Sequence, residues 1–284
     1  MKLRALALFP WIFAALVIVV VEWLGEGEAL ADFLIGQRLL VRVLAIAGCA
    51  YAASVFSRGD HLRRAWLWLA VSTILVLARD LLRYIPTLAA WTDSGVFGAT
   101  LVRGLGVASN LFLLLGVFEL ARSWRKASMT LPGGRAGLIT VTVVATALAL
   151  AVAGPSALAN ARALGAGDGT AIVALASSVV DILALCLLSP LFLTALSMRG
   201  GLFVWPWALM TASLFSWVLY DAAELWREAL SFQGVPLSEI FRGLAQNLQF
   251  SAGVAQGIVV TSAVRGLRQP AGTGAVAGLG LQDP

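Results

Sequence analysis

Ionisable side chains set inside long apolar stretches are the residues of this 284-residue chain best suited to chemistry. Arg38 and Arg42 lie within the stretch 34–56, Arg79, Asp80 and Arg83 within 65–85, Arg103 and Asn110 within 96–121, and Asp181 within 170–197. Asp221 and Glu224 close the stretch 202–224, and Arg242 and Asn247 open the stretch 241–264. A charge near the centre of a bilayer costs at least about 2.5–3.5 kcal/mol, so such residues pair with one another or face a hydrated cleft. Binding and charge compensation are the chemistry they offer. No span carries a Ser–His pair, a metal-ligand cluster, an HExxH or CxxC spacing, a Walker glycine loop or the spaced aspartates of a prenyltransferase. No catalytic residue, metal site or cofactor is therefore expected, and the chain reads as a non-enzyme.

The elements that must position these residues follow from composition. With 60% hydrophobic residues, 12% charged and a mean hydropathy of +0.90, the chain lacks the polar groups to build a water-facing surface. Lipid is its solvent. Peptide groups in hydrocarbon must be satisfied internally, and continuous apolar runs do not show the alternation of a barrel, so the expected fold is all-α, a polytopic membrane helical bundle. Cys49 and Cys186 sit in apolar runs and are expected to remain free, and the single histidine, His61, lies in a basic loop. The basic and then apolar start "MKLRALALFPWIFAALVIVVVEWL" resembles a signal peptide, but its apolar run exceeds a typical h-region and is expected to be a retained span.

Charged and Gly/Pro-rich breaks leave eight stretches long enough to cross about 30 Å of hydrocarbon: 5–23, 34–56, 65–85, 96–121, 136–154, 170–197, 202–224 and 241–264. Alternate connections differ in sign. Lys2 and Arg4, Arg58 with Arg63 and Arg64, the run Arg122 to Arg135, Arg199, and Arg265 with Arg268 share one side, whereas Glu26, Glu28, Asp32, Asp93, Asp168, Glu228 and Glu239 share the other. The positive-inside rule then places both termini in the cytoplasm of a multi-pass protein of the bacterial inner membrane. Basic residues spread among short loops answer to topology and anionic lipid headgroups, so no nucleic-acid partner is expected. The ending "RQPAGTGAVAGLGLQDP" has no apolar periodicity. It implies a flexible cytoplasmic tail over 266–284 and no output domain after residue 264.

A weak internal repeat divides the rest. "AWLWLAVSTILVLARDLL" (65–82) set against "PWALMTASLFSWVLYDAA" (206–223) aligns Trp66 with Trp207, Ser72 with Ser213 and Asp80 with Asp221. At the same offset Arg58-Gly59 meets Arg199-Gly200, and after a two-residue slip "RGL" at 103–105 meets "RGL" at 242–244. We expect a 4+4 parallel repeat of residues 1–130 and 131–265, related by an axis along the membrane normal. Arg79 and Arg83 share one helical face and Asp221 and Glu224 another, either as ligand-facing groups or, for the arginines, as side chains snorkelling to the headgroups. Arg42 and Asp181, near-equivalent in the two halves, are expected to pair across that axis. Arg38, Arg103, Asn110, Arg242 and Asn247 extend the pattern toward a polar cleft opening outward, although interhelical hydrogen bonds alone would account for the amides.

The segments "HLRRAWLWLAVSTILVLARDLL" and "MRGGLFVWPWALMTASLFSWVLYDAA" resemble the multi-helix membrane sensor regions that precede diguanylate cyclase or histidine kinase modules in bacterial signalling proteins. The resemblance implies sensing or regulation through a cytoplasmic or membrane protein partner, with Asp80 and Asp221 at the matching positions. Three functions remain open: a sensory or regulatory module, a secondary transporter with a midplane site at Arg42 and Asp181, and an accessory subunit of a membrane complex.

Overall fold

The computed structural model describes residues 2–93, 95–126, 130–227, 230–232 and 235–268. Its elements, in chain order, are α1 (Lys2–Leu24), α2 (Glu28–Ser54), α3 (His61–Tyr84), α4 (Pro86–Asp93), α5 (Val96–Ala121), α6 (Ser123–Lys126), α7 (Gly134–Gly165), α8 (Ala171–Ser197), α9 (Val204–Leu225), the two-residue strands β1 (Ser231–Phe232) and β2 (Val235–Pro236), and α10 (Leu237–Arg268). The architecture is the all-α bundle expected. Residues 266–268 belong to the end of α10, and the remainder of the expected tail lies outside the described residues.

Among the described residues six helices, α1, α2, α3, α5, α7 and α8, are both long and apolar enough to cross a membrane, which makes this a multi-pass membrane protein. The seventh and eighth expected spans, α9 and α10, have 22 and 32 residues and fall outside that set. Packing explains their greater polarity. Gln246, Asn247, Gln249, Ser251 and Gln256 of α10 are all buried against other helices, so they never meet lipid.

Six helices close on themselves: α2 packs on α3, α3 on α5, α5 on α8, α8 on α9, α9 on α10, and α10 returns to α2. All six contribute to one apolar core, with Cys49 and Ala52 from α2, Trp66 and Leu69 from α3, Val117 from α5, Leu191 from α8, Trp207 and Met210 from α9 and Leu248 from α10. α1 lies outside against α10, and α7 lies outside against α8. Their outer faces carry exposed Val19, Trp23, Ile139, Val143 and Leu148, an apolar surface suited to lipid.

Local chemistry sets the helix ends that matter for the site. Asp60 caps α3, its carboxylate accepting from the Leu62 amide at 2.8 Å. Pro86 ends α3: the residue before a proline is disfavoured in the helical region, and Ile85 is extended (φ −81°, ψ 116°). Pro86 then serves as the first residue of α4, where its missing N–H costs nothing. Inside a membrane helix a proline need not break the chain, and Pro10, Pro155 and Pro190 sit within α1, α7 and α8. For that reason α7 runs on to Gly165, past the expected end at 154.

A close backbone approach joins α2 to α10 through glycines. A Cβ at Gly48 would lie 2.6 Å from the Phe250 carbonyl oxygen, and one at Gly253 would meet the Gly48 carbonyl oxygen still more closely. Small residues admit such backbone contact, which replaces the hydrophobic drive missing between helices in lipid. Gly253→Ala should therefore destabilise the detergent-purified protein by about 1–3 kcal/mol. Gly104→Ala, where nothing lies within 4 Å of the new Cβ, should be neutral or stabilising by about 0.5–1 kcal/mol. Parallel thermal melts of the two variants make the comparison.

Candidate functional site

The connections place four helix ends together. A short loop turns α2 into antiparallel α3, so the start of α2 lies beside the end of α3, and the β1–β2 hairpin turns the end of α9 back into the start of α10. Helical Cβ bonds tilt toward the N-terminus, which leans Arg38 and Arg42 of α2 toward this same end of the bundle. Between these ends lies a cavity of about 370 Å³ lined only by polar side chains: Arg38, Arg79, Asp80, Arg83, Tyr84, Tyr220, Arg227, Glu239 and Arg242. Five guanidinium groups face two carboxylates there.

Arg42 anchors the floor. It is 2% exposed and forms an ion pair with Asp80, itself 3% exposed. The Arg42 Nη1 also donates to the Val76 carbonyl oxygen at 3.0 Å, so the guanidinium is held by α3 at two points. Arg79 reaches the other Asp80 oxygen at 3.5 Å. Its side chain passes over Gly106 of α5, where a Cβ would come within 3.5 Å of Nη1. Arg79 thus turns into the bundle and does not snorkel to the headgroups.

The opposite wall is built on Glu239, in the first turn of α10, where a carboxylate also complements the helix dipole. Arg38 grips it through two nitrogens at 2.8 Å each, and Arg242, one turn along α10, through a third contact of 3.2 Å. Two tyrosines complete this wall. Arg38 donates to the Tyr84 hydroxyl and Arg242 to the Tyr220 hydroxyl at 2.9 Å, each guanidinium also lying within 5.5 Å of its partner's ring centroid.

The expected pairing of Arg42 with Asp181 is not what the structure holds. Arg42 takes the carboxylate offered by the antiparallel neighbour α3, whereas α8 packs on α5, α7 and α9. Asp181 instead lies near Asp221 of α9. Ser177 lies 3.5 Å from the Asp181 carboxylate. Asp221 and Glu224 also line a second, smaller cavity of about 190 Å³ with Ser156 and Ser178. Arg227 joins the two regions, pairing with Glu224 at 2.6 Å while lining the arginine cavity.

Of the residues singled out from sequence, Arg38, Arg79, Asp80, Arg83 and Arg242 meet at the cavity, with Arg42 directly beneath Asp80. Arg103 and Asn110 of α5 do not line it. Asn247 lies deeper along α10, fully enclosed, with neither amide atom hydrogen-bonded among the described residues. Tyr84, Tyr220, Arg227 and Glu239 were not anticipated as site residues. The spacing of Glu239 and Arg242, three apart at a helix start, is a sequence signal that could have found one of them.

Asp80→Asn should leave Arg42 buried without a counter-charge and cost about 3–5 kcal/mol of stability in detergent melts. The double variant Arg42→Met with Asp80→Leu should recover most of that loss, because a packed apolar pair needs no compensation. Comparison with known proteins finds no matching family model, no matching curated protein and no matching solved structure.

Proposed function

We propose that this protein is a sensory or regulatory module of a bacterial cytoplasmic membrane, with the arginine-lined cavity as its ligand site. The observation that carries the reading is a wholly polar cavity, set in a largely apolar bundle, whose lining brings five guanidinium groups against two carboxylates. Such an arrangement is costly in a low-dielectric setting unless water or a ligand occupies it. Ligand entry alters the balance between α2, α3, α9 and α10, all of which meet at the site, and the basic connections at the other end of the bundle pass the change to a protein partner.

Two further features support the reading. The contact order α2–α3–α5 is repeated by α8–α9–α10, and the Ser72 hydroxyl donates to the Ser109 carbonyl on α5 just as Ser213 donates to the Ala245 carbonyl on α10, both at 2.8 Å. Three of the four helices in each proposed half, residues 1–130 and 131–265, thus share a packing order, whereas α7 packs on α8 and α1 on α10. Continuous helices through Pro155 and Pro190 weigh against a transporter of the broken-helix kind. A transporter remains the second reading, because the buried amides of Gln246, Asn247 and Gln249 continue the polar groups of the cavity along α10.

Orientation is tested by cysteine labelling in a background with Cys49 and Cys186 replaced. With the cavity facing outward, Gly169→Cys between α7 and α8 should react with a membrane-impermeant maleimide in intact spheroplasts, and Gly59→Cys between α2 and α3 only after permeabilisation. Function is tested in proteoliposomes given a panel of labelled small solutes. Saturable binding without accumulation is the expected result, and saturable uptake would replace the regulatory reading with the transporter.

A further inference from the structure

We propose that the arginine cavity binds a phosphate group, an inference that rests on its being a ligand site. The guanidinium groups divide into two sets. Arg38 and Arg242 are committed to Glu239 and the tyrosine hydroxyls, and Arg42 to Asp80 and the Val76 carbonyl. Arg79, Arg83 and Arg227 are not used up in this way. Arg79 touches Asp80 only at 3.5 Å, and its Nε is buried with no hydrogen-bond partner among the described residues. Arg83 makes no hydrogen bond or ion pair among the described residues. Arg227, 56% exposed, gives one nitrogen to Glu224 and keeps the rest of its guanidinium available at the rim.

Each guanidinium carries five N–H donors and no acceptor. Three of them with spare donors around one cavity call for a ligand rich in acceptors and in negative charge. A carboxylate brings one charge and two oxygens, too little for three guanidinium groups with spare donors. A phosphate monoester brings nearly two charges and three strong acceptor oxygens, and arginine meets those oxygens in pairs through its planar fork. Two places in the cavity answer to the two parts of such a ligand: Arg79 and Arg83, one turn apart on α3, form one side of the phosphate seat, and the remaining space of a 370 Å³ cavity takes the group to which the phosphate is attached. The phosphate monoester belongs either to a soluble ester or to the lipid phosphatidic acid, since the cavity lies at the end of the bundle where headgroups are in reach.

The test titrates the full chain, purified in detergent and stripped of lipid, with inorganic phosphate, following heat release and thermal midpoint. In parallel, thermal midpoints are read in nanodiscs of phosphatidylcholine with and without phosphatidic acid. A saturable phosphate response identifies a soluble source, and a response to phosphatidic acid alone identifies the lipid. In either arm Arg83→Gln should weaken the response about tenfold, Arg83→Lys should restore part of it, and Arg103→Gln, outside the cavity, should change nothing. Arg83 has no partner to lose, so its substitution leaves the packing intact. Absence of any response in both arms, or equal responses from the Arg83→Gln and Arg103→Gln proteins, overturns the proposal. If a phosphate-free solute from the proteoliposome panel binds while both phosphate arms stay flat, the phosphate inference fails and the ligand-site reading stands. If no solute binds either, both fail.

Discussion

The contact between Arg42 and Asp80 organises the polar end of the bundle. Both groups are removed from water, and each alone would carry a desolvation penalty of several kcal/mol. Their attraction offsets that penalty because α3 adds the Val76 carbonyl to hold the guanidinium and Arg79 adds a second positive charge beside the carboxylate. One negative group therefore serves two positive ones. The surplus is passed upward to the cavity, where Glu239 in turn serves Arg38 and Arg242. Five arginines coexist in a small volume only because two carboxylates are shared among most of them.

The carboxylates Asp181, Asp221 and Glu224 show the opposite imbalance on the other side of Arg227. Acidic and basic groups are not mixed into neutral pairs, although the two clusters are adjacent. Among the described residues only the Arg227–Glu224 contact joins them. Segregation of this kind maintains a field across the end of the bundle, positive on one side and negative on the other.

Much of this organisation was legible in the sequence, and the reasons it was incomplete are physical. Apolar run length and low charge content identify the helical membrane bundle, because lipid admits few solutions for a backbone. The positions of the buried charges within apolar runs, Arg42 and Asp80 foremost, were equally plain, since each stood out against its neighbours. Their partners were not. Arg42 has candidate carboxylates at many sequence separations, and a proposed symmetry axis selected Asp181, whereas antiparallel adjacency brought in Asp80. Arg227 and Glu239 read as ordinary loop charges because nothing in one dimension shows that the β1–β2 hairpin folds the end of α9 back over the cavity. Asn247 and its neighbouring amides weaken the hydropathy of α10, and only their enclosure by other helices explains why so polar a helix belongs inside the bundle.

The glycine contact between α2 and α10 bears on how the protein is made. Of the described helices α10 leaves the ribosome after all the others, yet Gly48 and Gly253 require it to seat directly against the second one. Until then, the face of α2 bearing Gln37 and Arg38 has neither Gly243 nor Glu239 to cover it, while Arg42 can already meet Asp80. The nascent bundle thus holds an open polar seam until α10 seats against α2.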